Sequence, residues 1–326
     1  MEARGPDETP AFHDPVVLRH HTGVSHPETG ERVARCVTTL RSAGVRIESP
    51  ASPARTLAAI QRVHPAEYVT RFERAVSHAP DQAGGRAFSL FDSPDNPISA
   101  TTFEAATRAV GLTLAAVDEV LADRARSVFV AVRPPGHHAR AARAMGFCFF
   151  NTIAVAARDL LENGAISRVL VADFDVHHGN GTQELFWEDE RVAYLSVHRY
   201  PFYPGTGAAD ELGSGPGRGT TLNVPVAEGA GDDVYVAGFE AALETLTAKF
   251  RPDFVLVSAG FDAHERDPLG GMRVSTTGFS RLTRALAEVA QRHAKGRIVS
   301  LLEGGYDPAA LGESALAHVQ SLQVPR

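Results

Sequence analysis

The stretch Arg168–Gly181 reads RVLVADFDVHHGNG. It opens as a short β-branched apolar run. It then places Asp173, Asp175, His177 and His178 among glycines within a few residues. An apolar run of that length, closed by glycine, predicts a buried strand. Three more segments share the pattern. SVFVAV (127–132) runs into RPPGHH, FVLVSA (254–259) into GFDAHERDP, and RIVSLL (297–302 with Arg297 first) into EGGYDP. Helical stretches such as NTIAVAARDLLENG and GFSRLTRALAEVAQRHA lie between them. Continuous apolar strands alternating with helices predict a mainly parallel central sheet covered on both faces, hence a three-layer α/β domain. Ligands of such sheets bind beyond the carboxyl ends of the strands, where the reactive residues of this chain cluster.

Upstream, GERVARCVTTLRSAG carries Val33, Val37 and Leu40 at helical spacing, with Gly44 as its stop. HPAEYVTRFERAVSHA predicts a second amphipathic helix, and SATTFEAATRAVGLTLAAVDEVLA a long one capped by Ser99 or Thr101. Residues 1–16 are polar and proline-bearing and are expected to be loose, and Asp81–Pro97 is expected to be a surface loop. No repeat or linker interrupts the pattern, so residues 17–326 are expected to form one catalytic domain.

The composition is that of a globular chain: 326 residues, 44% hydrophobic and 22% charged. No apolar run approaches the roughly 18 residues of a membrane span, and the N-terminus has no apolar signal region. Cys36 and Cys148 offer no disulfide framework, which points to a reducing cytoplasm. The net charge of -7, without a basic block, argues against direct nucleic-acid binding. Lys249 and Lys295 are the only lysines among the 32 basic residues, and that arginine bias suggests a GC-rich bacterial source.

In extended backbone, side chains at alternate positions point to one side, so Asp173, Asp175 and His177 would share a side if the strand continues that far. Two carboxylates held together repel unless a cation lies between them. Zn2+ accepts carboxylate oxygen and imidazole nitrogen, and a catalytic zinc keeps three protein ligands and an open position. Asp175 and His177 supply two ligands, and Asp262 is the natural third. A lone Asp-x-His is more often a turn or a cap, but a second aspartate at a parallel strand end favours the metal. His137 and His138 offer a base for water and an acid for a leaving amine, with Asp173 and Asn180 placed to orient them. Tyr306, on a glycine turn, offers a phenol to a developing oxyanion.

The segments RPPGHHARAARAMGFCFFN, DFDVHHGNGTQELFW, SAGFDAHERDPLGGM and LEGGYD, with HHTGVSHPETGERV and VHPAEYV upstream, resemble the histone deacetylase superfamily. They are most similar to its class II and bacterial amidohydrolase members, and the likeness runs from His20 onward. It implies the arginase/deacetylase α/β fold and one zinc on Asp175, His177 and Asp262. It also implies that His138 is general base and acid, with His137 as its electrostatic partner, Asp173 orienting His137, and Asn180 orienting His138. Tyr306 matches the tyrosine that polarises the carbonyl. Phe147 and Tyr203 match the aromatic walls of an acyl-lysine channel, completed by Gly146, Gly304 and Gly305, with Asp95 at the rim. Ser196, Val197 and Phe186, with Asp173 and Asp175, fall where the family binds structural potassium.

The implied function is zinc-dependent hydrolysis of an acetamide, on acetyl-lysine or a similar acetylated amine. Leu269 stands where polyamine-selective relatives carry glutamate, which lowers the case for acetylpolyamines. Small acetylated metabolites remain an alternative, as does a non-catalytic acyl-lysine binder. The two-manganese ureohydrolases share the fold but need an aspartate where this chain has Gly179 and paired aspartates where Asp262 stands alone.

Overall fold

A computed structural model describes residues 8–323 except 24, 81–88, 163 and 165. The strands are β1 (Ala11–Phe12), β2 (Ile47–Glu48), β3 (Ser89–Leu90), β4 (Pro97–Ile98), β5 (Ser127–Val130), β6 (Val169–Asp173), β7 (Val192–Arg199), β8 (Thr221–Val226), β9 (Phe254–Ala259) and β10 (Ile298–Leu302). Eight of them form one sheet in the order β2-β1-β5-β10-β9-β6-β7-β8, and every pair in it is parallel. The four apolar runs of the sequence are the four adjacent strands β5, β10, β9 and β6 at its centre.

The helices are α1 (Gly30–Ser42), α2 (Thr56–Gln61), α3 (Ala66–Ser77), α4 (Thr102–Leu121), α5 (Thr152–Glu162), α6 (Asn180–Leu185), α7 (Ala237–Thr247), α8 (Thr276–His293) and α9 (Pro308–Leu322). Side-chain alternation along β6 divides the core. Val169 and Val171 pack with α2–α5 on one face, whereas Leu170 and Ala172 pack with α1 and α7–α9 on the other. A strand buried on both faces cannot alternate polar with apolar, which is why these strands read as continuous hydrophobic runs. Local chemistry sets several helix ends. Ser275 accepts from the Gly278 amide at the start of α8, Asp307 accepts from Ala310 at the start of α9 with Pro308 in its first turn, and Gly44 follows α1 at φ 85°.

Two expectations change. Residues 11 and 12, read as part of a loose segment, are buried and pair with β2 on one side and β5 on the other. Two residues are too few for a periodic signal, so only the flanking strands reveal them. The expected loop over 81–97 contains the antiparallel pair β3–β4, joined Ser89 to Ile98 and Leu90 to Pro97, while its first eight residues lie outside the described ones.

Candidate active site

The loops after β5, β6, β9 and β10 meet at one end of the sheet. β6 stops at Asp173, so simple alternation does not carry the motif beyond that residue. A turn stitched to carboxylates takes over. The amide of Asp175 donates to Asp173 Oδ1 (3.2 Å), that of Val176 to Asp262 Oδ1 (2.8 Å), and that of His177 to Asp175 Oδ1 (2.9 Å). This separates the two aspartates that the sequence placed together. Asp173 turns toward His137, while Asp175, His177 and Asp262 bring their ligand atoms within 4.8 Å of one another.

His177 Nδ1 lies 3.0 Å from Asp175 Oδ1 and 3.1 Å from Asp262 Oδ2. Burial works against the His177 cation, but the two carboxylates push its pKa up to about 9. Burial and the facing Asp175 carboxylate raise Asp262. Burial would raise Asp175 too, yet the charges of His137 and His177 hold it well below the carboxylate range. Two buried carboxylates and an imidazole facing a common point form an oxygen and nitrogen donor set suited to a divalent cation of zinc type. Glycine makes room for it, since a Cβ on Gly304 would stand 2.1 Å from Asp262 Oδ2 and 2.6 Å from Asp175 Oδ2.

The histidine pair follows the turn after β5, with ring centroids 4.0 Å apart. His137 Nδ1 lies 3.0 Å from Asp173 Oδ2, which also accepts from the Tyr194 hydroxyl at 3.1 Å. Burial lowers the His137 pKa, but Asp173 and Asp175 outweigh it and push it up to about 10. His138 Nδ1 lies 2.8 Å from Asn180 Oδ1. Burial and the neighbouring charges of His137 and His177 hold its pKa well below the usual histidine value. The surroundings therefore push the two rings in opposite directions, the His137 pKa up and the His138 pKa down. With Asn180 Oδ1 as acceptor, the His138 proton sits on Nδ1 and Nε2 keeps its lone pair.

These groups open onto a narrow cavity of about 120 Å³. Asp95, Gly146, Phe147, Tyr203, Leu269, Gly304 and Tyr306 line it, as does Pro135, which the motifs did not single out. Gly305 is the exception. At φ 123° it shapes the turn from behind, where a Cβ would meet Leu311 and Phe261. Asp95 is built into the rim, accepting from the Gly146 amide (3.1 Å) and the Tyr203 hydroxyl (3.2 Å). Gly146 needs its glycine, because at φ 58° a Cβ would fall 2.3 Å from His138 Cδ2. Of the residues expected near potassium, Ser196 pairs in register with Asp173, and its hydroxyl lies 2.8 Å from His198 Nδ1. The Val197 carbonyl accepts from Tyr235, and Phe186 is buried just after α6.

Sequence reasoning missed several supports. Asp267 accepts from the amides of Leu269 and Gly270 through Oδ1 and of Tyr306 through Oδ2, so one carboxylate joins the channel mouth to the tyrosine turn. Its signal was the aspartate of HERDPLGG, a residue type that commonly caps turns. The ring of Phe202 stacks on His177 at 5.1 Å. Arg32, buried in α1, donates to the carbonyls of Gly305 (2.7 Å) and Glu303 (2.5 Å), and its guanidinium stands 5.0 Å from the Tyr306 ring centroid. Glu28 ties Arg32 to Arg133, and this buried cluster showed in the sequence only as a Glu–Arg pair four residues apart.

A small cavity lined by His137, His138, Asp175, His177 and Tyr306, with Asp262 beside it, has the construction of an amide hydrolase of the deacetylase type. The histone deacetylase domain family matches residues 26–322, and the chain belongs to that family. It is 37% identical over 300 residues to the histone deacetylase-like amidohydrolase of Pseudomonas aeruginosa, covering 91% of this chain and 77% of that one. It is 36% identical over 299 residues to a probable deacetylase of Archaeoglobus fulgidus, covering 90% and 80%. The crystal structure of the HDA15 HD domain superposes with a TM-score of 0.89 at 35% identity, covering 98% of this chain and 89% of that one. The expected arginase/deacetylase architecture is thus the observed one, and the chain is a deacetylase or amidohydrolase by family. Relatives in rice and Arabidopsis thaliana are named as chloroplastic, so a cytoplasmic location does not follow from the family. Among the described residues no helix is long and apolar enough to cross a membrane.

Proposed function

We propose that the chain hydrolyses the acetamide of acetyl-lysine, or of a similar acetylated amine, as a zinc-dependent deacetylase that releases acetate. The observation that carries this is the convergence of Asp175, His177 and Asp262, the first two lining the channel, beside two histidines each bonded through Nδ1 to its own partner, Asp173 or Asn180. Asp175, His177 and Asp262 would hold the ion. When bound it supplies Lewis-acid polarisation of the amide carbonyl and acidifies water.

The protein's own groups do the rest. His138, neutral and with Nε2 unprotonated, takes a proton from the attacking water and returns it to the leaving amine. Asn180 fixes that tautomer. His137, charged and anchored by Asp173, stabilises negative charge as it develops on the substrate. The Tyr306 phenol keeps its proton, because burial and the Asp262 charge raise its pKa well above the usual value, and so it donates to the same oxygen. Phe147 and Tyr203 flank the aliphatic stem and exclude water.

At the mouth Leu269 is 37% exposed and presents no carboxylate. The uncharged stem of an acetylated lysine therefore suits the channel better than a polyamine, whose remaining ammonium groups would find no carboxylate at Leu269. The test is acetate release from acetyl-lysine peptides, acetylpolyamines and small acetylated metabolites, together with elemental analysis of the purified protein. One zinc per chain with turnover of the peptide supports the reading. Two catalytic transition metals per chain, or metal-loaded protein inert on every acetylated amine, would defeat it.

A further inference from the structure

Glu303 follows β10 directly and is fully buried. It does not line the channel, and nothing in the chemistry above uses it. Its carboxylate nevertheless ties the loop after β10 to the loop after β5 and to the end of β9. Oε2 accepts from the amides of Gly136 (2.6 Å) and His137 (3.3 Å), and Oε1 accepts from the Ser258 hydroxyl of β9 at 3.0 Å. Its own amide donates to the Ala259 carbonyl at 3.0 Å, and the next amide, of Gly304, donates to Asp175 Oδ2 at 2.8 Å. Among the described residues no other acceptor takes the Gly136 or His137 amide.

A carboxylate buried just past the end of a central strand is costly. Three donors offset that cost here, and an apolar side chain would leave two backbone amides without a partner. The turn is confined on its other side as well, where a Cβ on Gly136 would meet the Thr152 amide at 2.8 Å. The turn that carries both histidines is therefore seated between α5 and a single carboxylate.

We propose that Glu303 is the positioning residue of the histidine pair, its carboxylate setting where the Gly136–His138 turn stands against the ends of β9 and β6. The inference rests on the deacetylase reading and deepens it. A displacement of about 1 Å in such a group can cost about 10²-fold in rate. Glu303→Gln keeps the geometry without the charge, because its amide oxygen can accept from both backbone amides while its NH2 group donates to the Ser258 oxygen. Glu303→Ala removes both charge and brace.

The experiment compares wild type, Glu303→Gln and Glu303→Ala at matched zinc content, on an acetyl-lysine peptide and on its trifluoroacetyl analogue. The expected result for Glu303→Ala is a fall in kcat of about 10- to 100-fold on acetyl-lysine with KM within about twofold. A smaller loss is expected on trifluoroacetyl-lysine, whose more electrophilic carbonyl asks less of the base. A fraction of misfolded protein would lower both substrates alike. Glu303→Gln should stay within about fivefold of wild type. Crystal structures of the three proteins should show the turn displaced, and the 3.0 Å His137–Asp173 spacing changed, only in Glu303→Ala. Should Glu303→Ala fail to fold, Ser258→Ala frees Oε1 alone and carries the same test with an expected loss of about three- to tenfold. Near-normal rates in the truncated variant, equal losses on the two substrates, or Glu303→Gln as impaired as Glu303→Ala would each overturn the proposal. Wild type inert on both substrates would sink the deacetylase reading instead, and the crystal structures would still decide whether Glu303 holds the turn.

Discussion

Two cavities stand back to back in this molecule. The channel holds about 120 Å³, while the cleft behind it, lined by Arg140, Arg158, Trp187 and Arg191 among others, holds about 1120 Å³. Their shared wall is thin. Met145 and Pro204 face the cleft while their neighbours Gly146 and Tyr203 face the channel, and Asn180 on the cleft side bonds His138 on the channel side. Both cavities are rich in charge, but the charges differ in kind. In the cleft, Arg140 pairs with Glu184, and Arg158 and Arg191 pair with Asp189, with most of these side chains open to solvent. Water screens such pairs, and they contribute little. In the channel Asp175, Asp262, His137 and His138 are buried, so each charge shifts its neighbours. Desolvation, not volume, marks where chemistry can occur.

That contrast can be broken by experiment. The largest effect is expected from Asp262→Ala, which removes one of the three proposed ligands. Its zinc content should fall toward zero and deacetylation to background, as read by elemental analysis and acetate release. Full activity with full metal content would remove Asp262 from the site. Next come two variants that should keep their zinc. His138→Ala loses the group on which both proposed proton transfers depend, so single-turnover rates should drop by about 10²–10⁴ or more. Tyr306→Phe loses one oxyanion donor and should cost about 10²–10³. If Tyr306→Phe runs near the normal rate, the tyrosine serves only as a turn residue.

A smaller effect belongs to the channel mouth. Leu269→Glu adds a charge within reach of a second ammonium, and one exposed ion pair contributes about 0.2–1 kcal/mol. The ratio of kcat/KM for acetylspermidine over acetyl-lysine peptide should rise by a few-fold. An unchanged ratio would mean that Leu269 does not select the substrate. The least effect is expected in the cleft, where Arg191→Ala breaks a half-exposed pair and leaves Asp189 to Arg158. Stability should move by no more than about 1 kcal/mol, and deacetylation should be unchanged. A large loss of activity there would show that the cleft takes part after all.

Much of this was legible beforehand. The four central strands announced themselves because strands buried on both faces must be apolar throughout. The ligand-type residues announced themselves because they interrupt that apolar pattern at its ends. β1 was missed because two residues of strand carry no period. Arg32 and Arg133 were missed because a buried arginine looks like a surface one until its partners are seen. The resemblance places Gly305 in the channel wall, yet a Cβ there would meet Leu311 and Phe261 behind it, which only the packing shows.

By itself the sequence determined the class of fold and the kinds of groups at the site, since both follow from short-range properties: apolar run length, helical spacing, glycine at turns and the donor atoms of each side chain. Only the tertiary structure decided which of those groups meet. Asp262 reaches Asp175 because β9 lies beside β6, and Glu303 reaches Gly136 because β10 lies between β9 and β5. Neither the β9–β6 nor the β10–β5 adjacency follows chain order. Each arises from parallel pairing across long connections, and the turn beyond β6 then sends Asp173 to His137 and its near neighbour Asp175 to His177 and Asp262.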